Sequence, residues 1–427
     1  MEAREAGLCK RTSKLTPYMF FDLLLFGGLS DNKSLNQVAI EANSQHGVTI
    51  SKQALSKRFG AAGVAFVRSL FEKQIAKQIS SAIAPNFLKD FKQVKIQDST
   101  RFVMPEEHQK SFPGFGGVSS KAGACIQYEF DVKSGKIVEF ELCPALQSDT
   151  THAKANADKI GKDDLIIRDL GYFALALIKR ILGEGAYFIS RLQSKVLVYE
   201  QVGEQLERVD FGRLYLEMDK GGVKQKRMDV FIGDVDKVGL TMVVEPMPDA
   251  IYQQRIKKVG QYNKRHGNKT SQEYKDRARF NIFITNIEDE KIPPEEIPTL
   301  YKIRWQIELV FKTWKSTHRI ASIPRMKLER YLCLLYAKLL MVAINWEIIN
   351  NLNAYQCKSS GRLFSLSKCV KTLIGAPRLL RDLLTAEKVQ ESLVWIAQRF
   401  RENHWLESRK NRVGFNEIFS LYTCEHD

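Results

Sequence analysis

The sequence predicts an α/β fold class with helical regions at both ends. Apolar residues recur at helical spacing in residues 1–90 and again in residues 326–427. Short strand patterns separated by turn residues fill residues 91–192 and return in residues 281–325, which predicts one core built from two stretches of chain. Residues 193–280 hold further strand-like segments, so we expect a β-rich insertion within that core.

The composition favours a polyanionic partner. The chain has 427 residues, with 65 Lys and Arg against 49 Asp and Glu, and a formal net charge of +16. Nucleic acid is the first candidate and an anionic membrane surface the second, while a basic chain without such a partner is the third. Seven scattered cysteines without a CxxC spacing argue against a disulfide framework and a thiolate zinc site. The apolar run Tyr331–Trp346 is shorter than the ~20 residues that cross a bilayer. We therefore expect a buried helix there and no membrane, and the scattered cysteines fit a location in a reducing cytosol.

Two short helices are predicted in the N-terminal region. Ser34 can cap the first and Ser51 the second, Lys52–Phe59, with a turn at His46-Gly47 between them. Two short helices joined by a glycine-containing turn resemble a helix-turn-helix, although helical pairs without a DNA-binding role are common. The cations that this interpretation places on the outward face of the second helix are Lys52, Lys57 and Arg58.

Two acids come at or near the ends of predicted strands of the core. One strand, residues 94–98, ends on Asp98, and the short buried strand Leu165–Ile167 is closely followed by Asp169. Each aspartate could instead be an ordinary turn former. The segments expected to form a hairpin between them are Ala124–Asp131 and Ile137–Leu142.

The insertion section ends in a strongly basic stretch. Residues 251–279 hold nine Lys or Arg and two acids. This stretch is either a solvated segment or one that follows DNA phosphates, with Tyr262 and Tyr274 interleaved. The strand-like segments that precede it are Lys195–Gln201, Arg213–Asp219, Arg227–Asp234 and Leu240–Pro246.

A third acid, Glu308, lies on the predicted helix Leu300–Ser316. At about 100° per residue, this carboxylate shares one face, within about 80° of arc, with a tyrosine and three cations. Arg304 and Lys312 could instead be simple ion-pair partners of Glu308. The polar face is predicted to hold Tyr301, Arg304, Glu308, Lys312 and Lys315. The core side is predicted to hold Ile307, Val310, Phe311 and Trp314, and Trp305 is also expected to pack.

Carboxylates from three separate elements suit hard divalent cations such as Mg²⁺. Two such ions about 3.5–4 Å apart can activate a nucleophile and stabilise a leaving oxygen in phosphodiester chemistry. Cations beside the acids would hold the phosphates of an anionic substrate. The sequence therefore indicates metal-assisted chemistry on nucleic acid.

The spacing Tyr301-x2-Arg304-x3-Glu308-x6-Lys315 resembles the Y-R-E-K signature of the DDE transposases of bacterial insertion sequences, family four. The aspartates of KIQDST and IIRDLGYF come in the matching order, and NIFITNI directly precedes the signature. The resemblance covers roughly residues 90–320, and the helical regions on either side are consistent with it.

The resemblance implies a ribonuclease H-like catalytic core with two Mg²⁺ ions, for which Mn²⁺ can substitute. It implies a homodimer that binds terminal inverted repeats in double-stranded DNA, nicks them, forms a hairpin at each end and joins the ends to target DNA. A plain metal-dependent nuclease and an inactive DNA-binding regulator are the alternatives. The implied catalytic and metal-binding residues are Asp98, Asp169 and Glu308. The implied contacts to the transposon end are Tyr301, Arg304, Lys312 and Lys315, in addition to the N-terminal cations.

The sequence departs from some relatives in one respect. Those relatives stack a flipped base on a tryptophan of the insertion domain, whereas no tryptophan lies within residues 193–280 here. Either Tyr199, Tyr215 or Tyr252 substitutes for it, or base flipping works differently. His152 follows a polar loop segment and is expected at the surface, outside the site.

Overall fold

The structure is a computed structural model that divides by its internal contacts into two compact units. The first unit contains residues 1–84, 99–147 and 306–427, and the second contains residues 85–98 and 148–305. The five expected domain bounds stay predictions, and the expected region 326–427 extends past the last described residue. The described residues are 2–9, 13–26, 33–78, 88–117, 119–360 and 362–407.

A mixed sheet forms the centre of the second unit. Its strands are β1 (Val94–Val103, of which residues 94–98 belong to this unit), β4 (Leu165–Arg168), β5 (Tyr187–Arg191), β6 (Val198–Val202), β7 (Gln205–Arg208), β8 (Lys226–Ile232), β9 (Val238–Pro246) and β10 (Phe280–Thr285). They follow the order β1-β4-β5-β10-β9-β8-β6-β7. The first three are parallel, and from β5 onward the neighbours are antiparallel. The fold class is therefore α/β, and this sheet is compatible with a ribonuclease H-like fold.

Helices cover the sheet of the second unit. Apolar residues of α7 and α8 pack in one core with the sheet, including Leu177 and Ile181 on α7 and Leu214 and Met218 on α8. This burial removes apolar surface from water, which is the dominant favourable term in folding. The helices of this unit are α6 (Asp149–Ala155), α7 (Leu175–Gly183), α8 (Phe211–Lys220), α9 (Asp249–His266), α10 (Gln272–Arg277) and α11 (Ile297–Tyr301).

The expected strand Arg213–Asp219 is wrong, because this segment lies in the helix α8. Its alternating apolar residues, Leu214, Leu216 and Met218, imitate a strand. The structure buries Phe211, Leu214 and Met218 at helical spacing and leaves Leu216 57% exposed. The Asp210 carboxylate accepts hydrogen bonds from the backbone N–H groups of Gly212 and Arg213, and so caps the helix.

Two further expectations for the second unit need correction. The strand β1 does not end at Asp98 but continues for five residues to Val103, so that Asp98 lies in its interior. The basic stretch after β9 is helical and forms α9 and α10 rather than part of a β-rich region. A short exposed strand that the sequence pattern did not predict, β7, pairs with β6.

A hairpin and several helices form the first unit. The expected hairpin is confirmed as β2 (Gly123–Asp131) and β3 (Ile137–Pro144). Cys125 lies opposite Cys143 in this hairpin, and both are free thiols, as are the other cysteines within the described ranges. The helices are α1 (Glu2–Glu5), α2 (Pro17–Leu25), α3 (Leu35–His46), α4 (Lys52–Arg58), α5 (Ala61–Ala76), α12 (Trp305–Ser316, in this unit from residue 306), α13 (Leu328–Ser360), α14 (Leu366–Gly375), α15 (Pro377–Leu384) and α16 (Val389–Asn403).

The long helix α13 is the central helix of the first unit and packs against α2, α5 and α14. The segment Tyr331–Trp346 lies within it and is largely buried, as expected. By length and composition α13 could cross a membrane, but 67% of its most apolar window is buried inside the protein. A buried core helix has the same length and composition, so this helix is only weak evidence for a membrane span.

A buried ion-pair network joins the N-terminal and C-terminal helices of the first unit. Asp22 on α2 is 1% exposed. Its carboxylate oxygens accept from Nε and Nη2 of Arg381 on α15, at 2.8 and 3.1 Å, and one of them lies 3.0 Å from Nε2 of His46 on α3. Removing the guanidinium would leave the buried Asp22 carboxylate less well compensated and so destabilise the fold, although by less than for a fully buried pair, because Arg381 is 35% exposed.

Candidate active site

Asp98 and Asp169 are neighbours on two parallel strands. In the register of β1 with β4, Gln97 lies opposite Arg168, so the residues that follow them, Asp98 and Asp169, stand side by side. Asp169 directly follows β4, as predicted, and begins a short 3₁₀ turn. The side chain of Asp98 is 17% exposed and that of Asp169 is 44% exposed, so the pair opens to solvent on the Asp169 side.

Arg304 bridges the two aspartates. Its Nη1 donates to Oδ2 of Asp98 at 3.2 Å, and its Nε lies 3.7 Å from Oδ1 of Asp169. Two neighbouring carboxylates repel each other, and a guanidinium between them offsets that repulsion. Arg304 itself is only 13% exposed in its side chain. The structure therefore assembles an acid pair with a cation fixed against it.

This acid pair suits a divalent cation. Carboxylate oxygens are the ligands that Mg²⁺ prefers, and that ion needs few protein ligands. The open side at Asp169 leaves room for water and phosphate oxygens, and Arg304 shows that the pair already accommodates positive charge.

The segment Tyr301–Lys315, which we call the signature segment, is helical but is not one regular α-helix. The helix α11 ends at Tyr301, a 3₁₀ turn covers Lys302–Arg304, and α12 begins at Trp305. A uniform 100° per residue is therefore wrong across the turn, because a 3₁₀ helix has about three residues per turn. Within α12 the expected core side is confirmed, because its four apolar residues are buried. Trp314 packs as expected, and Trp305 is 45% exposed.

Tyr301 supports the end of β4. Its side chain is 7% exposed, and its hydroxyl donates to the carbonyl oxygen of Arg168 at 3.4 Å. Its ring makes an edge contact with Phe283, and burial raises its pKa to about 12, so it remains a neutral hydrogen-bond donor. The structure thus shows Tyr301 next to the residue before Asp169, and its contact with DNA stays a prediction.

Glu308 lies one helical turn after Arg304, in the first turn of α12, and is partly exposed. Lys312 and Lys315 follow on the same helix and are exposed. Lys315 Nζ donates to the carbonyl oxygen of Arg101 at 2.9 Å. Partial burial of its ammonium group lowers the pKa of Lys315. The structure brings Asp98, Asp169 and Arg304 together. It places Glu308 in the first turn of α12.

The N-terminal helix pair forms as expected, with one difference. Ser34 and Gln37 make a reciprocal capping box on α3, Gly47 ends that helix at φ 65°, and the Ser51 hydroxyl accepts from the backbone of Ala54 to cap α4. Lys52 and Lys57 are exposed. The expected outward direction of Arg58 is wrong. Its guanidinium donates to the carbonyl oxygens of Leu8 and Leu15, at 2.8 and 3.4 Å, and to the Ser13 hydroxyl.

The tyrosines considered as stacking platforms are already engaged within the second unit. Lys237 Nζ lies 3.2 Å from the ring centre of Tyr199. The guanidinium of Arg279 lies 4.5 Å from the ring centres of both Tyr215 and Tyr252. His152 is 1% exposed, with Nε2 at 3.3 Å from the amide nitrogen of Asn156, so its expected surface position is wrong.

Sequence reasoning missed a polar cluster beside the acid pair. Nη2 of Arg191, at the end of β5, donates to Oδ1 of Asn281 at 3.3 Å, and Nη2 of Arg255 donates to the same oxygen at 3.4 Å. Arg255 lies on α9 and also donates to the carbonyl oxygens of Ala278 and Phe280. Asn281 begins the NIFITNI segment, but neither spacing nor charge indicated its two arginine partners.

Comparison with known proteins agrees with this site. A family profile described as a transposase DDE domain matches residues 89–344, which is more than half of the chain. The transposase for insertion sequence element IS231F of Bacillus thuringiensis subsp. israelensis is 32% identical over 310 residues, or 69% of this chain. That alignment spans 65% of the relative, slightly under two thirds of its length.

Two other relatives extend the match. The transposase for IS231B of Bacillus thuringiensis subsp. berliner is 29% identical over 80% of this chain and 75% of its own length. The transposase for IS1151 of Clostridium perfringens is 27% identical over 99% of this chain and 93% of its own length. Since the profile covers both aspartates of the acid pair and the signature segment, the chain belongs to the DDE transposases of bacterial insertion sequences.

Proposed function

We propose that this chain cuts the ends of its own insertion sequence and joins them to target DNA, with Asp98, Asp169 and Glu308 as the catalytic acids. The observation that carries the proposal is the acid pair on parallel strands, bridged by an arginine that lies one helical turn before Glu308. The Y-R-E-K spacing supports placement in family four.

In this proposal the three acids would provide oxygen ligands for two Mg²⁺ ions, and Mn²⁺ would be able to replace Mg²⁺. Bound divalent ions supply Lewis acidity at phosphate oxygens and lower the pKa of a bound water. The role of the chain is to hold two carboxylates at a fixed separation on rigid strands. Asp169 lies at the solvent side, where substrate phosphate can approach.

The cations of the signature segment would contact the transposon end. Arg304 offsets repulsion within the acid pair in the free protein, and in the complex its guanidinium would bind a phosphate beside the scissile bond. Lys312 and Lys315 would hold neighbouring phosphates along α12, since both are exposed. Tyr301 would position the transposon end, and its hydroxyl is itself held by the hydrogen bond to Arg168 at the end of β4.

The remaining steps rest on the family resemblance. The pair α3 and α4 would bind the terminal inverted repeats, with Lys52 and Lys57 as exposed contacts and Arg58 acting through the N-terminal segment that it holds. Two copies would pair the two ends in the synaptic complex, and cleavage would pass through hairpin ends. The reaction would take place at the nucleoid in the bacterial cytoplasm.

A supercoiled plasmid carrying both ends of the element tests this function. Purified protein with Mg²⁺ should excise the segment, while Glu308→Gln should reduce excision by at least about 1,000-fold, because a ligand of the metal is lost. Denaturing electrophoresis of the released ends shows whether they are covalently closed hairpins. Glu295→Gln is the matched control, since Glu295 is exposed and lies outside the signature segment, six residues before Tyr301.

The outcomes separate the alternatives. Excision that persists in Glu308→Gln, Asp98→Asn or Asp169→Asn removes that residue from the site. Cleavage without joining indicates a plain metal-dependent nuclease. End binding without cleavage by the wild type, in both Mg²⁺ and Mn²⁺, indicates an inactive DNA-binding regulator.

A further inference from the structure

The solvent-facing side of α9 carries four cations, Lys257, Lys258, Lys264 and Arg265, which we call the α9 basic stripe. We propose that this stripe binds the phosphate backbone of duplex DNA next to the cleavage site. The inference rests on the proposed function for the identity of that DNA. It adds a DNA-binding surface that lies outside the acid pair, the signature segment and the pair α3 and α4.

The helix α9 has two distinct faces. Tyr252 is buried, and Ile256 and Val259 are partly buried, so these three define the side that packs on the protein. At about 100° per residue they fall within about 60° of arc. The four cations of the stripe fall within about 120° of arc on the opposite side, with exposed Gln261 between them. After Tyr252 no residue of α9 is buried, so the stripe lies on a part of the helix that faces solvent.

The stripe carries no neutralising partner. The sequence has no acid between Asp249 and Glu273. None of the four cations makes an ion pair within 4 Å in the described part of the chain. Other exposed cations of the same unit do have such partners, including Lys179 with Asp236 and Arg213 with Glu217. The stripe is therefore a local excess of positive charge, and not a surface of balanced pairs.

Strand direction places α9 at the same end of the sheet as the acids. In the second unit the part of β1 that belongs to it ends at Asp98, Asp169 directly follows β4, and Arg191 ends β5, so the three residues lie at the same end of these parallel strands. The strand β10 is antiparallel to β5, and its first residue, Phe280, lies opposite Pro246, the last residue of β9. The chain leaves β9 at that edge and enters α9 three residues later. Three strand spacings separate β9 from β4, which is about 15 Å.

The Arg255 contacts fix the helix to this edge. Arg255 donates to carbonyl oxygens of Ala278 and Phe280, and shares Asn281 with Arg191. These bonds hold the first half of α9 against the strand that neighbours β5. The second half, which carries the stripe, therefore has a defined position relative to the acid pair, and both belong to the second unit.

Duplex DNA is the occupant that this chemistry favours. The stripe extends over about 12 Å along the helix axis, which matches about four phosphates of one strand at 3.4 Å each. A helix that binds a membrane surface needs a broad apolar face beside its cations. The stripe is bordered instead by Tyr262, 57% exposed, whose ring stacks on His266 with centres 4.1 Å apart. Lysine, arginine and a single aromatic ring suit a phosphate backbone.

The salt dependence of DNA binding tests the proposal. The full chain is titrated with a duplex carrying one transposon end and its flanking DNA, without divalent ions, so that cleavage does not enter. The variant Lys257→Gln/Lys258→Gln/Lys264→Gln/Arg265→Gln should reduce the slope of log affinity against log salt by about three to four. The loss should be equal for an unrelated duplex, since phosphate contacts carry no sequence information. Replacing the three lysines by arginine should keep the wild-type slope.

The control removes four cations from the opposite end of the sheet. Lys89, Lys92 and Lys162 precede β1 and β4, and Lys179 lies on the helix that leads into β5; all four are exposed. Their combined replacement by glutamine changes the net charge equally and should leave the slope unchanged. An equal loss in both variants, or no loss in the α9 variant, overturns the proposal.

Two further readouts complete the test. Binding of the wild type to anionic lipid vesicles that is lost in the α9 variant, with an unchanged DNA slope, also overturns the proposal in favour of a membrane. Failure of plasmid cleavage, with the slope change intact, would refute the proposed function and keep the DNA-binding surface.

Discussion

The signature segment and α9 both carry closely spaced cations, but those cations differ in what they touch. In the signature segment Arg304 lies between two aspartates and Lys315 donates to a backbone carbonyl oxygen. The α9 basic stripe has no comparable contact in the described part of the chain. The position and shape of the side chain therefore matter for the cations of the signature segment, whereas the cations of the α9 basic stripe act through their charge alone. Substitutions that separate shape from charge should distinguish them.

Among the substitutions that test this difference between the two sets of cations, the largest effect is expected at Arg304. Arg304→Ala should reduce DNA cleavage by at least about 100-fold, the size of losing one preorganised electrostatic contact. Arg304→Lys should restore only part of the rate, because an ammonium group cannot reproduce the two-sided contact of a guanidinium. Single-turnover cleavage of a DNA end measures both. Full activity of Arg304→Lys would show that charge alone suffices here, and the distinction from α9 would fail.

An effect of intermediate size, on the pH dependence of the free energy of unfolding, is expected at His318, just after α12. Burial and the nearby Lys338 lower its pKa from 6.5 to about 3, so it is neutral in the folded protein. The unfolded chain binds a proton below pH 6.5 that the folded chain does not, so stability is lost as the pH falls towards 3. This group should contribute a loss of about 2 kcal/mol between pH 6.5 and about 5.

Urea unfolding of wild type and His318→Gln at several pH values isolates that contribution. The difference in unfolding free energy between the two proteins should shrink or reverse as the pH falls, because only the wild type carries this histidine. Parallel pH profiles for the two proteins would contradict the prediction.

The smallest effect is expected for the folding of the α9 variant. Because the four cations of the stripe are exposed and make no ion pair in the described residues, their replacement should change the free energy of unfolding by less than about 0.5 kcal/mol. Urea unfolding measures this change. A loss above about 1 kcal/mol would mean that the stripe supports the fold, as the contacts of the signature segment do.

Local signals made much of this structure predictable. Ser34 and Ser51 cap their helices as expected, because a cap depends on residues within one turn. Asp169 follows its strand as expected, since a short apolar run followed by an acid is visible in the sequence. The apolar side of α12 was predictable for the same reason, although the positions of its polar residues relative to Tyr301 were not.

The features that could not be predicted depend on contacts between residues far apart in the sequence, or on apolar patterns that fit a strand as well as a helix. The alternation in α8 fits a strand as well as a helix, and only packing against the sheet decides between them. The pairing of Arg304 with Asp98 joins residues 206 positions apart, and no local pattern encodes it. The direction of Arg58 was wrong because its partners lie 43 to 50 residues earlier.

The ion pair between Asp22 and Arg381 affects what happens to the protein product of a mutated copy of the insertion sequence. It ties the first helices to a helix 359 residues later, so α2 and α3 complete their packing only after residue 381 has been translated. A frameshifted copy that stops before residue 381 would leave the Asp22 carboxylate without its guanidinium. Under the proposed function, a product destabilised in this way should occupy fewer transposon ends than the intact chain. Damaged copies would then interfere less with intact ones in the same cell.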